Sequence, residues 1–171
     1  MSAADLRAWR ERGRLVEATP LGHRAFLVDE GNPAASPDST LVLLHGFPES
    51  SYSYSGAFPL LAGSFERVLS FDFIGYGFSA KPTSGFAYSL MEQADVVLRL
   101  LREAGVTGCH FLAHDMGDSV MTELLARLND NRPEWLEAGA LSVSFTNGSM
   151  VLGDAKLRVG QRALVKLTLV K

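Results

Sequence analysis

The stretch that most constrains this chain is Leu112-Ala113-His114-Asp115-Met116-Gly117. Residues 109–113 form a short apolar run that leads into it. A helical pattern follows: Val120, Met121, Leu124, Leu125 and Leu128 recur on one face of a 3.6-residue period. Asp115 therefore falls where a strand turns sharply into a helix. Ala113 and Gly117 lie two positions away on either side, and such a turn needs small neighbours because strand and helix backbones approach closely there. This is the local pattern of a nucleophile elbow, with Asp where Ser would stand. The turn lifts the carboxylate out of the sheet, and free N–H groups at the start of the helix keep it ionised. An ionised, positioned carboxylate can attack carbon and form an ester. The plain structural alternative for Asp115 is a helix N-cap.

A chain of 171 residues with 47% apolar and 20% charged residues can bury a sizeable core as one domain. A net charge of −3 gives no electrostatic footprint for nucleic acid. The single cysteine, Cys109, excludes an intrachain disulfide, and no Cys/His group has zinc-ligand spacing. The first twelve residues carry no apolar signal segment, and no run is long enough to span a membrane. These features lead us to expect a cytoplasmic protein without cofactor or metal.

Taken in order, Leu6, Trp9 and Arg10 fit a short amphipathic helix ending at Gly13. Residues 15–18 and 23–28 read as strands around a turn at Pro20-Leu21-Gly22. The continuous apolar run 41–44 suits a central parallel strand buried on both faces. It ends in His45-Gly46-Phe47-Pro48-Glu49-Ser50, where Gly46 permits unusual backbone angles and Pro48 fixes a turn. A helix covers part of 54–62, and a strand runs over 67–71. That strand ends in Asp72-Phe73-Ile74-Gly75-Tyr76-Gly77-Phe78-Ser79, followed by Lys81-Pro82. Ser89 with Glu92 forms a capping box for a helix whose apolar face is Leu90, Ala94, Val97, Leu98 and Leu101, and Gly105 stops it. After the elbow helix, Pro133 ends any continuation and residues 141–145 read as a strand. The remainder is basic, with a weak helical pattern over Ala163, Leu164 and Leu167.

Alternating strands and helices imply a three-layer α/β/α sandwich with a mostly parallel sheet. Ligands in such sheets bind at the carboxyl ends of the strands. The three distinctive loops, 45–50, 72–82 and 114–117, all lie there. Gly75 to Ala80 also matches the G-x-G-x-x-A of a dinucleotide fingerprint, but Lys81-Pro82 follows where an uninterrupted helix is required. We read those glycines as shaping a tight loop.

Together the three loops resemble the α/β-hydrolase superfamily over residues 15–150, which makes the chain the N-terminal part of that fold. His45-Gly46-Phe47-Pro48 resembles the oxyanion loop of epoxide hydrolases. Asp72 through Gly75 and Gly77 to Pro82 resembles the loop after the family's fourth strand. His114-Asp115 with Gly117 resembles the Asp elbow shared by epoxide hydrolases and haloalkane dehalogenases. The combination is also similar to the mesoderm-specific transcript group, as is the segment 144–148 with Asn147-Gly148.

The resemblance implies that Asp115 attacks an electrophilic carbon of a small-molecule substrate to give an alkyl-enzyme ester. The backbone N–H groups of Phe47 and Met116 would hold the oxyanion during hydrolysis. A late His and acid would activate water; neither matching segment occurs here, and the chain reads as interrupted within a cap that starts near residue 151. His45 and His114 are expected to be structural, with Gly46, Pro48, Asp72, Gly75, Gly77 and Gly117 shaping the loops. Haloalkane dehalogenases place Trp and Asn side chains where Met116 and Phe47 stand, so halide binding is not expected. A non-catalytic remnant or interaction module is the alternative. Because the later strands of the family sheet are missing, the strand at 141–145 is expected to lie at an edge and promote self-association.

Overall fold

The computed structural model describes residues 3–130 and the segments 141–145, 151–152, 155–156 and 164–166. The helices are α1 (Ala3–Glu11), α2 (Phe58–Ala62), α3 (Leu90–Glu103) and α4 (Met116–Asp130). The strands are β1 (Gly13–Glu17), β2 (Arg24–Gly31), β3 (Thr40–Leu44), β4 (Arg67–Phe71), β5 (Cys109–Ala113), β6 (Leu141–Phe145), β7 (Val151–Leu152), β8 (Ala155–Lys156) and β9 (Leu164–Lys166). One sheet has the order β1-β2-β4-β3-β5-β6-β9, and β7 pairs with β8 separately. The central strands β4, β3, β5 and β6 are mutually parallel, flanked by antiparallel partners at both sides.

Why β3 is central follows from its sequence. All five residues of Thr40–Leu44 are buried, as a strand covered on both faces requires. Its side chains alternate between two cores. Leu41 and Leu43 join Trp9, Phe26, Val28, Phe58 and Val68 on the face covered by α1 and α2. Val42 and Leu44 join Leu69, Phe71, Phe111, Val97, Leu100, Val120 and Met121 on the face covered by α3 and α4. Two apolar faces on one sheet give the three layers, and the period-2 alternation sorts residues between them.

The capping box expected at Ser89 is present: the Ser89 hydroxyl accepts the Glu92 N–H at 3.2 Å, and the Glu92 carboxylate accepts the Ser89 N–H. Gly105 follows the helix in the left-handed region, φ +67°, the usual stop. Glycines 75 and 77 open no helix; the next one begins only at Leu90, which removes the phosphate-binding helix that a dinucleotide fingerprint needs.

Two expectations are corrected. The strand at 141–145 is not an edge, because β9 pairs with it antiparallel over Ser142–Lys166, Val143–Val165 and Ser144–Leu164. The segment expected to be helical around Leu164 is that strand. Its helical period was indistinct, and an open row of strand N–H and C=O groups offers a ladder that a marginal helix cannot match. Residue 133, the segment 146–150 with Asn147-Gly148, and most of 153–171 lie outside the described residues.

Ser89→Ala removes one half of the capping box. It should lower the unfolding free energy by about 1 kcal/mol, read as a shifted urea midpoint with an unchanged slope.

Candidate active site

Three loops meet at the carboxyl ends of β3, β4 and β5, and the first two are held there by buried polar groups, His45 and Asp72. The loop after β4 is built on Asp72, which is fully buried. Its Oδ1 accepts the Ser51 N–H at 2.7 Å and its Oδ2 accepts the Phe78 N–H at 2.6 Å. A buried carboxylate is tolerable only when both oxygens find such donors. Gly77 lies so close that a Cβ there would stand 2.0 Å from Asp72 Oδ2, and its φ is +45°; only glycine fits. Gly75 closes the same loop by donating its N–H to the Ala80 carbonyl at 2.8 Å.

His45 ties this loop to the one after β3. Its ring is buried, and Nε2 accepts the Phe73 N–H at 3.0 Å. Nδ1 therefore carries the proton and donates to the Gly46 carbonyl at 2.8 Å. Both ring nitrogens are committed, so His45 is a neutral structural clip. Burial pushes its pKa below the ordinary histidine value, against opposing contributions from the Gly46 carbonyl, Asp72 and Glu49. The Phe47–Pro48 peptide bond is cis.

The turn after β5 is the third part. Asp115 has φ +51°, a left-handed conformation that costs free energy for a non-glycine residue. The close approach expected at Gly117 is present: a Cβ there would lie 2.5 Å from the Leu44 carbonyl. Asp115 is exposed. Its Oδ1 accepts two backbone N–H groups, from Phe47 at 2.8 Å and from Met116 at 2.6 Å. These bonds, the Phe47 one first, hold its pKa below the ordinary aspartate value. Oδ2 has no hydrogen-bond partner among the described residues.

This geometry is not that of an N-cap. A capping side chain accepts from the second or third residue of the helix. Here the Gly117 N–H goes to the His114 carbonyl and the Asp118 N–H to the Asp115 carbonyl. The Asp115 side chain instead joins the start of α4 to a different loop.

The structure brings Asp115, Phe47, Met116, His45, Gly46, Asp72, Gly77, His114 and Gly117 into one region. His114 packs beside Asp115 against Gly46 and lines a cavity of about 260 Å³ with Glu49, Ser53 and Tyr54. Four further side chains support the site: Ser79 lies within the 72–82 loop already singled out, and Tyr54, Gln93 and Trp9 belong to no motif. Tyr54 donates its hydroxyl to the Leu44 carbonyl at 2.8 Å. The Ser79 hydroxyl donates to the Asp72 carbonyl and accepts the Phe26 N–H. Gln93 brackets Ile74 with two hydrogen bonds, and Trp9 reaches Ser51 from α1. Among the described residues, no group of His, Cys, Asp and Glu could hold a metal ion, and no helix is long and apolar enough to cross a membrane.

A strained turn between a central parallel strand and a helix, with three loops converging on it, defines the α/β-hydrolase fold. Residues 39–158 match the model of the α/β-hydrolase fold family, and the chain belongs to that family. It is 41% identical over 141 residues to the mesoderm-specific transcript homolog protein of Bos taurus, covering 81% of this chain and 41% of that protein. It is 39% identical over 165 residues to LipZ of Mycobacterium tuberculosis, covering 96% and 53%. Epoxide hydrolase A of Mycobacterium thermoresistibile superposes with a TM-score of 0.65 at 30% identity, covering 81% of this chain and 40% of that one. The chain thus spans about half the length of the relatives it matches.

The depressed pKa of His45 sets a pH dependence. The unfolded state binds a proton near pH 6.5, whereas the folded state does so only at lower pH. The stabilisation is complete above that value and is lost as pH falls below it. The urea midpoint should drop between pH 7 and pH 5. In His45→Gln, whose amide oxygen offers a neutral acceptor toward Phe73, that drop should shrink.

Proposed function

We propose that Asp115 is the nucleophile of an epoxide-hydrolase-like reaction on a small-molecule substrate. The observation that carries this reading is the division of labour between its two oxygens. Oδ1 is fixed by the Phe47 N–H from the loop after β3 and the Met116 N–H at the start of α4, while Oδ2 of this exposed side chain has no hydrogen-bond partner among the described residues. Oδ2 attacks a ring carbon of the epoxide, a C–O bond forms, and the ring C–O bond breaks. The electron pair leaves on the former ring oxygen as an alkoxide, which takes a proton from solvent water. Asp115 becomes an alkyl ester whose carbonyl oxygen is Oδ1.

In the second step, water adds to the ester carbonyl carbon and negative charge develops on Oδ1. The Phe47 and Met116 N–H groups already point at that atom, so the donors need no reorganisation as charge appears. Collapse of the tetrahedral intermediate breaks the bond between the carbonyl carbon and Oδ2, releases the diol with that oxygen, and restores the carboxylate. In the family that the chain resembles, the base that activates this water is a His that comes late in the chain. His45 is excluded because both ring nitrogens are engaged.

Support for the epoxide class comes from the similarity to epoxide hydrolase A. The side chains of Phe47 and Met116 bear no N–H, which removes the donors a halide leaving group would need. The buried free thiol of Cys109 fits a cytoplasmic location.

The test is intact-mass spectrometry after incubation with small terminal epoxides. We expect one covalent adduct on the wild-type chain and none on Asp115→Asn. The two N–H bonds keep the carboxylate ionised below the ordinary aspartate pKa of about 3.9. Adduct formation should therefore stay level from pH 7 to pH 5 and fall only at lower pH.

A further inference from the structure

Helix α1 precedes the residues matched by the family model, which begin at 39, yet it reaches the site. Trp9 is 2% exposed and its Nε1 donates to the Ser51 hydroxyl at 3.1 Å. Its ring packs edge-on against Tyr52 and Phe58. Arg12 lies over both Trp9 and Phe58 and pairs with Glu30 at 2.6 Å, which fixes the indole in place. One residue along, the Arg10 guanidinium lies 5.4 Å from the centre of the Phe78 ring. Ser51 and Phe78 are the two residues whose backbone N–H groups hold opposite oxygens of the buried Asp72.

We propose that α1 is a clamp on the active-site scaffold, in which Trp9 holds Ser51 and Arg10 holds Phe78, and that Trp9 is thereby a positioning residue for the Phe47 N–H. The loop that carries Phe47 is pinned at its start by His45 and at its end by Ser51. Glu49 closes it internally by donating to the Gly46 carbonyl at 3.0 Å. Releasing the Ser51 end lets the Phe47 N–H swing from Asp115 Oδ1, although Trp9 acts through Ser51 and not by a hydrogen bond to either residue. This rests on the reading of Asp115 as the working carboxylate, but its geometry can be measured without turnover.

The experiment is a carbon-13 NMR titration of the Asp115 carboxyl in the full chain, assigned with Asp115→Asn. Trp9→Phe keeps the ring and removes the donor; Ser51→Ala removes the acceptor. Arg10→Ala trims an exposed side chain and so preserves the fold. Val28→Ala, in the same core cluster, controls for lost stability. Weakening a hydrogen bond to the charged form raises its pKa. We expect the Asp115 midpoint to rise by roughly 0.5 pH unit or more in Trp9→Phe and Ser51→Ala, by less in Arg10→Ala, and not in Val28→Ala. An unmoved midpoint in every folded clamp variant, or an equal rise in Val28→Ala, overturns the clamp. Should Trp9→Phe or Ser51→Ala fail to fold, the other and Arg10→Ala decide. Failure of the wild-type chain to be alkylated would count against the nucleophile alone and leave this titration interpretable.

Discussion

The Asp72 carboxylate is the point on which the site depends. It is fully buried at the end of β4, where an unpaired charge would be untenable. Its two oxygens take N–H groups from Ser51, in the segment after β3, and from Phe78, in its own loop. One buried side chain thus sets the spacing between two loops. His45 adds a second tie by joining the Phe73 N–H to the Gly46 carbonyl. With both ties in place, the Phe47 N–H stands over β5 where Asp115 emerges.

The strain at Asp115 is held by that scaffold. A left-handed aspartate persists only where surrounding packing over-determines it. Here the close contact of Gly117 with the Leu44 carbonyl fixes the start of α4, and the N–H groups of Phe47 and Met116 hold Oδ1. The same arrangement that stores the strain leaves Oδ2 free. One oxygen of the side chain anchors, and the other has the freedom that the proposed nucleophile requires.

Much of this was legible in the sequence because local rules and global fold agree. The run 41–44 announced a strand buried on both faces, Ser89 with Glu92 announced a helix start, and Ala113, Asp115 and Gly117 announced a tight turn. The loop glycines marked close approaches before any contact was visible. What stayed hidden depends on residues far apart in the chain. Trp9 to Ser51 and Gln93 to Ile74 are single long-range hydrogen bonds with no spacing to betray them. The edge expected at 141–145 failed for a related reason: the pairing with Leu164–Lys166 is a tertiary choice, and three residues carry too little pattern to announce a strand.

The anchoring of one Asp115 oxygen by two amides, Phe47 in the loop after β3 and Met116 at the start of α4, carries the proposal. It is tested most directly by following the amide protons of Phe47 and Met116 by NMR through an acid titration. Both signals should move together with a single midpoint, below the ordinary aspartate pKa, and neither should move in Asp115→Asn. A Phe47 amide that is indifferent to the titration, or that follows a different midpoint from Met116, would contradict it.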